Sequence, residues 1–145
     1  MMGELHSLPT IHKQQIAHLG TEHDPRTLQN AVHILRAGQA CSMIGRGPSM
    51  EPVIHDGARM VIAPWEKGRR PKKYDILFCR AGRGGREFTT HLCWWIARRK
   101  FLMIDTAGNV LGYIPFKYIL GEYVGTWDTE KREIIPYHYA DYMRG

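Results

Sequence analysis

The chain has 145 residues and carries 20 Lys and Arg against 14 Asp and Glu, a net charge of +6 at neutral pH. With 43% hydrophobic and 23% charged residues it has the composition of a globular protein, which excludes a disordered chain and a coiled coil. Its length suits one domain with a core of its own, and no apolar run approaches the about 20 residues needed to span a bilayer.

Residues 1–22 are polar and predict an arm with at most one short helix (Ile11, Gln15, Ile16, Leu19). An amphipathic helix follows over 24–37. Asp24 suits the N-cap, Pro25 the first helical position, Leu28, Ala31, Val32 and Leu35 one face, and Gly38 the stop. From residue 40 short apolar runs alternate with Gly, Pro and charged turns, which predicts strands at 40–45, 58–63, 75–80, 87–97, 100–105, 109–113 and 119–127. Gly57, Gly68, the Gly82–Gly85 tip and Ala107-Gly108-Asn109 mark turns. The expected organisation is an N-terminal arm and helix (1–39), a mainly β domain (40–127) and a Tyr-rich tail (128–145) of unassigned conformation. Alternation puts Trp94 and Trp95 on opposite faces of their strand, so at most one of them belongs to the core. Cys41, Cys79 and Cys93 are scattered and odd in number, which argues for a reducing compartment and against a disulfide framework or a zinc site. No secretory signal is visible, so a cytoplasmic location is expected.

The stretch Gly45-Arg46-Gly47-Pro48-Ser49-Met50-Glu51-Pro52 puts a serine in a tight, glycine-containing turn. A serine hydroxyl becomes a nucleophile only with a base in hydrogen-bond reach and N–H groups aimed at the developing oxyanion. Pro48 has no N–H, so the Ser49 amide is the nearest donor. Read alone, most such serines are merely turn residues.

With its neighbours the turn resembles the nucleophile box of the LexA/signal peptidase superfamily of serine peptidases, in which Ser-Met-x-Pro precedes an apolar residue, a Gly-Asp turn and a strand. Further blocks recur in order over residues 40–125. Tyr74-Asp75-Ile76-Leu77-Phe78 is similar to the family's Gly-Asp-Ile-Val-x-Phe, and Thr89-Thr90-His91-Leu92 falls at the general base. Phe101–Thr106 resembles the strand ending in Gly-Asp, and Ile119-Leu120-Gly121-Glu122-Tyr123-Val124 resembles the closing Ile-Leu-Gly-x-Val-Val. The resemblance implies a coiled β-sheet domain and a soluble serine endopeptidase that hydrolyses a peptide bond of a polypeptide substrate, with no cofactor and no metal. It assigns Ser49 as nucleophile and His91 as base, histidine replacing the lysine of many relatives, and an imidazole is a competent base near neutral pH. Asp105 is the candidate third member, although the family's aspartate aligns nearer Thr106. Gly47 and Met50 fall at oxyanion and substrate-binding positions.

Several positions depart from the family pattern. Gly57-Ala58 replaces Gly-Asp, Tyr74 replaces a glycine, Leu92 replaces the arginine after the base, and Gly47 stands where many relatives carry an assisting serine. An inactive copy of the fold, acting as a protein- or nucleic-acid-binding module, is the alternative these departures raise. Basic clusters at Lys67–Lys73, at Arg80, Arg83 and Arg86, and at Arg98–Lys100, with Trp65, Phe88, Trp94 and Trp95 nearby, read either as a solvated surface or as a nucleic-acid footprint. Helix–turn–helix-like material over 11–37 is too short for a DNA-binding domain. Ala37-Gly38 is a bond of the kind that self-cleaving relatives cut, so self-processing is a further expectation. His6, His12, His18, His23 and His33 lack metal-ligand spacing, and Tyr137, Tyr139 and Tyr142 suit packing on the domain or on a partner.

Overall fold

The structure, a computed structural model, describes residues 11, 12 and 15–138. It is mainly β. Among the described residues there are nine strands and one α-helix: β1 (Ala17–Thr21), α1 (Pro25–Arg36), β2 (Cys41–Ile44), β3 (Arg59–Pro64), β4 (Ile76–Ala81), β5 (Glu87–Ile96), β6 (Lys100–Ile104), β7 (Val110–Pro115), β8 (Ile119–Asp128) and β9 (Glu133–Pro136). They form one open sheet in the order β1-β2-β3-β8-β4-β5-β6-β7, with β9 on β8. Ten-residue β8 is the spine. Its first half pairs with β4 (Leu77 opposite Glu122), and β3 runs along it from Pro64 opposite Gly121 to Met60 opposite Thr126.

Helix α1 forms for the reasons its sequence suggests. The Asp24 side chain accepts from the Arg26 amide, Pro25 opens the first turn, and Gly38 leaves the helix at φ +84°. Ala31 and Leu35 drive its apolar face into a core shared with Met43, Met60, Ile62, Phe78, Leu92 and Tyr123. A second cluster, with Leu77, Cys79, Cys93, Phe101, Met103 and Ile114, covers the other side of β4–β6. Along β4 and β5 the two clusters take alternate residues, Ile76, Phe78 and Leu92 facing one and Leu77, Cys79 and Cys93 the other, the pattern of a sheet buried on both faces.

One segment corrects the sequence expectation, and a second takes a conformation that the sequence left unassigned. Residues 17–21, expected within an arm, form β1, which pairs in parallel with β2 through α1 as the crossover. His18 Nδ1 lies 2.6 Å from the Oγ of fully buried Ser42, and Arg59 bonds both Ser42 Oγ and the Leu19 carbonyl. In the tail, β9 pairs with the end of β8, and the Tyr137 hydroxyl donates to the Tyr74 carbonyl. His6, Tyr139 and Tyr142 lie outside the described residues. Trp95 is 61% exposed, whereas Trp94 packs edge-on against Tyr74. No helix among the described residues is long and apolar enough to cross a membrane.

Candidate active site

The loop between β2 and β3, residues 45–58, carries Ser49. Its base is closed by the Gly45 amide on the Ala58 carbonyl and the Gly57 amide on the Gly45 carbonyl, both 2.9 Å. Gly47 has φ +95°, a conformation that favours glycine. Met50 and Ile54 anchor the loop, both buried in the core cluster. The Ile54 amide donates to the Met50 carbonyl at 2.8 Å. From the turn after β6, Thr106 fastens the Ser49 backbone. Its amide and its hydroxyl each lie 3.1 Å from the Ser49 carbonyl, and the hydroxyl also reaches the Glu51 carbonyl. Ser49 is therefore exposed but held.

The sheet brings His91 to it. Thr89 and His91, two apart on β5, project from the same side of the strand. His91 Nε2 lies 3.0 Å from Ser49 Oγ, and Thr89 Oγ1 lies 2.6 Å from His91 Nδ1. With the proton on Nδ1 donated to Thr89, Nε2 is free to accept the serine proton, the arrangement general-base catalysis requires. Partial burial pushes the His91 pKa below its ordinary value, against a weaker raising effect from Asp105, so the ring is neutral at pH 7.

The other site expectations fare differently. Asp105 does not touch the imidazole. Its carboxylate accepts from the amides of Ala107 and Asn109 and from the Asn109 side chain, bonds that hold its own pKa down. It influences His91 through space alone, and the hydrogen-bonding partner of Nδ1 is Thr89. The Gly47 amide donates to Asp56 Oδ1 at 3.0 Å, so it is engaged within the loop and not offered to an oxyanion. The Met50 side chain is a core anchor, and what Met50 can present to a substrate carbonyl is its backbone. Neither the Ser49 nor the Met50 amide donates to another group among the described residues, which leaves that pair for a developing negative charge. Sequence reasoning missed Thr89 and Thr106. A threonine in a strand has an ordinary structural reading, and only its i, i+2 placement relative to a candidate base could have singled Thr89 out.

Ser49 sits between two depressions. One, beside His91, is walled by Met50, Ile54, Met60 and Phe88 and includes Glu22. The other is lined by Pro48, Glu51, Asp105, Thr106 and Asn109. Among the described residues no cluster of His, Cys, Asp or Glu could hold a metal ion. Many surface cations rest on the chain's own rings. Arg69 covers Trp65, Lys73 covers Trp94 and Arg80 covers Phe88, so three aromatics suited to stacking on bases are already capped. Ala37-Gly38 belongs to the end of α1, where the Ala37 and Gly38 amides donate to His33 and Leu35. Gly38 lines a separate depression with Ile11, Gln39 and Pro64. No family model, no curated protein and no solved structure matches the chain.

Proposed function

We propose that this protein is a serine endopeptidase-like hydrolase that cleaves a peptide bond by acyl transfer through Ser49 and His91, as its resemblance to the LexA/signal peptidase superfamily implies. The observation that carries the reading is the 3.0 Å contact between Ser49 Oγ and His91 Nε2, with Nδ1 engaged by Thr89. Ser49 Oγ attacks the scissile carbonyl as Nε2 takes its proton, and the resulting imidazolium keeps its Nδ1–H on Thr89. The oxyanion is stabilised by the amides of Ser49 and Met50. When the tetrahedral intermediate collapses, Nε2 returns the proton to the leaving amine and an ester to Ser49 remains. Water, deprotonated by the same nitrogen, then releases the acid product.

The two depressions flanking Ser49 give an extended substrate room on either side of the scissile bond. A substrate in trans suits this site better than the chain's own Ala37-Gly38 bond, whose amides already serve the end of α1. A fluorophosphonate probe followed by intact-mass and peptide analysis tests the reading. The wild type should take one phosphonyl group on Ser49, and Ser49→Ala and His91→Ala should take none. Labelling that persists in both variants, or a wild type that takes none, would remove the enzymatic reading in favour of a binding module on the same fold.

A further inference from the structure

Glu22 brings a carboxylate into the cleft beside Ser49 from a segment outside the nucleophile loop. Just past the end of β1, its N–H donates to the carbonyl of Ile44, the last residue of β2, and its Oε2 accepts from the Arg46 amide at 2.7 Å. Among the described residues no lysine, arginine or histidine is ion-paired with it, the cleft's own basic residues Arg46, His55 and His91 included. The Arg46 guanidinium lies against Gly57, 3.5 Å from where a Cβ would stand, and His55 bonds Glu51. Burial pushes the Glu22 pKa up, while the Arg46 amide and the charge of His23 pull it back.

Beside the polar side chains of Ser49, His55, Thr89, Thr90 and His91, the cleft has an apolar wall made of the core side chains Met50, Ile54 and Met60 with half-buried Phe88. Its volume is about 130 Å3. A cavity of about 150 Å3 takes a benzene-sized guest, so this one takes a single side chain. A purely apolar guest would strip water from Glu22 and leave it unpaired, which is unfavourable for a carboxylate. An alanine would leave the walls unfilled. A methylene stem ending in a cation satisfies both the walls and the carboxylate.

Building on the acyl-transfer reading above, we infer that the cleft accepts a lysine or arginine side chain adjacent to the scissile carbonyl, with its stem against Met50, Ile54, Met60 and Phe88 and its cationic head on Glu22. Glu22 is then the specificity-determining residue of the site. Lysine and norleucine share four side-chain carbons and differ in the ammonium group, so their esters isolate the charge.

The test compares kcat/KM for the methyl esters of Nα-acetyl-lysine, Nα-acetyl-norleucine and Nα-acetyl-alanine, in the wild type and in Glu22→Gln. Glutamine still offers a carbonyl oxygen to the Arg46 amide, so the loop keeps its contact. The lysine ester should exceed the norleucine ester by roughly tenfold or more, the scale of one charge-assisted hydrogen bond, and Glu22→Gln should bring the ratio close to one. A norleucine or alanine ester turned over as fast as the lysine ester, or a lysine preference that survives Glu22→Gln, overturns the inference. Phosphonylation of Ser49 in the same preparations separates the two claims. A labelled Ser49 with a flat or alanine-preferring ester profile defeats the specificity alone, whereas no labelling and no ester turnover defeats the enzyme and the specificity together.

Discussion

Replacing Thr89 with valine keeps the shape of the side chain and removes the group 2.6 Å from His91 Nδ1. Before the proposed proton transfer that contact joins neutral partners. In the transition state the ring has taken the serine proton, so the lost bond is one to a cation. Hydrogen bonds to charged groups are worth about 1.5–3 kcal/mol, which corresponds to roughly ten- to hundredfold in rate. Thr89 is only half-buried, so water can take over part of its role, and the expected loss lies near the lower end, about tenfold. The assay is the second-order rate of Ser49 phosphonylation, which needs no knowledge of the substrate. Thr89→Ser should restore most of the rate. Asp105→Asn should cost less than Thr89→Val, because Asp105 bonds Ala107 and Asn109 and not the imidazole. A Thr89→Val rate within about twofold of wild type, or a larger loss in Asp105→Asn, would refute the role given to the threonine.

Two further outcomes concern the fold. Asp75 is buried beside Glu122, and burial, reinforced by the Glu122 charge, raises its pKa from 3.8 to about 6. The unfolded chain gives up this proton first, so the folded state holds more protons between about pH 4 and 6, and stability falls as the pH rises through that window, by up to roughly 3 kcal/mol. Asp75→Asn, which can still accept from the Lys72 amide, should therefore melt higher than wild type at pH 8 and together with it near pH 4; parallel melting curves at both pH values would contradict the assignment. At Gly121 an added Cβ would stand 2.5 Å from Ile62 Cγ2 and 2.8 Å from the Ala63 carbonyl. Gly121→Ala should cost about 1–3 kcal/mol, read as a lowered thermal midpoint, and an unchanged midpoint would mean that β3 and β8 part easily.

What the sequence could reveal depended on how local the determining contacts are. Helix α1 is set by residues within it and at its ends, Asp24, Pro25 and the Leu28–Leu35 face, and it forms over the expected span. The strands from β2 to β8 are short apolar runs bounded by turn residues, so they too were legible. β1 was not. Ala-His-Leu-Gly-Thr has one large apolar residue, and it becomes a strand because β2 lies beside it on the far side of α1. β9 was obscured by its charged flanks and exists through pairing with β8.

The same distinction holds at the site. Ser49 and His91 could be proposed from the resemblance of their surrounding blocks to a known family, and the fold brings them within 3.0 Å. Asp105 was attractive because acidic residues complete other triads, yet a turn beginning at residue 105 uses that carboxylate to satisfy its own amides. Thr106 and Glu22 gained their positions from contacts between distant segments, which no local pattern encodes, whereas Thr89 bonds His91 two residues along the same strand.

The central claim is that His91 activates Ser49, and the pH dependence of Ser49 phosphonylation tests it most directly. Burial lowers the His91 pKa, so the wild-type rate should climb with a midpoint below 6.5 and level off before neutrality. His91→Ala should lose that plateau, leaving a slow rate that rises with hydroxide across the whole range. A wild-type profile without the plateau, or one that His91→Ala reproduces, would contradict the account.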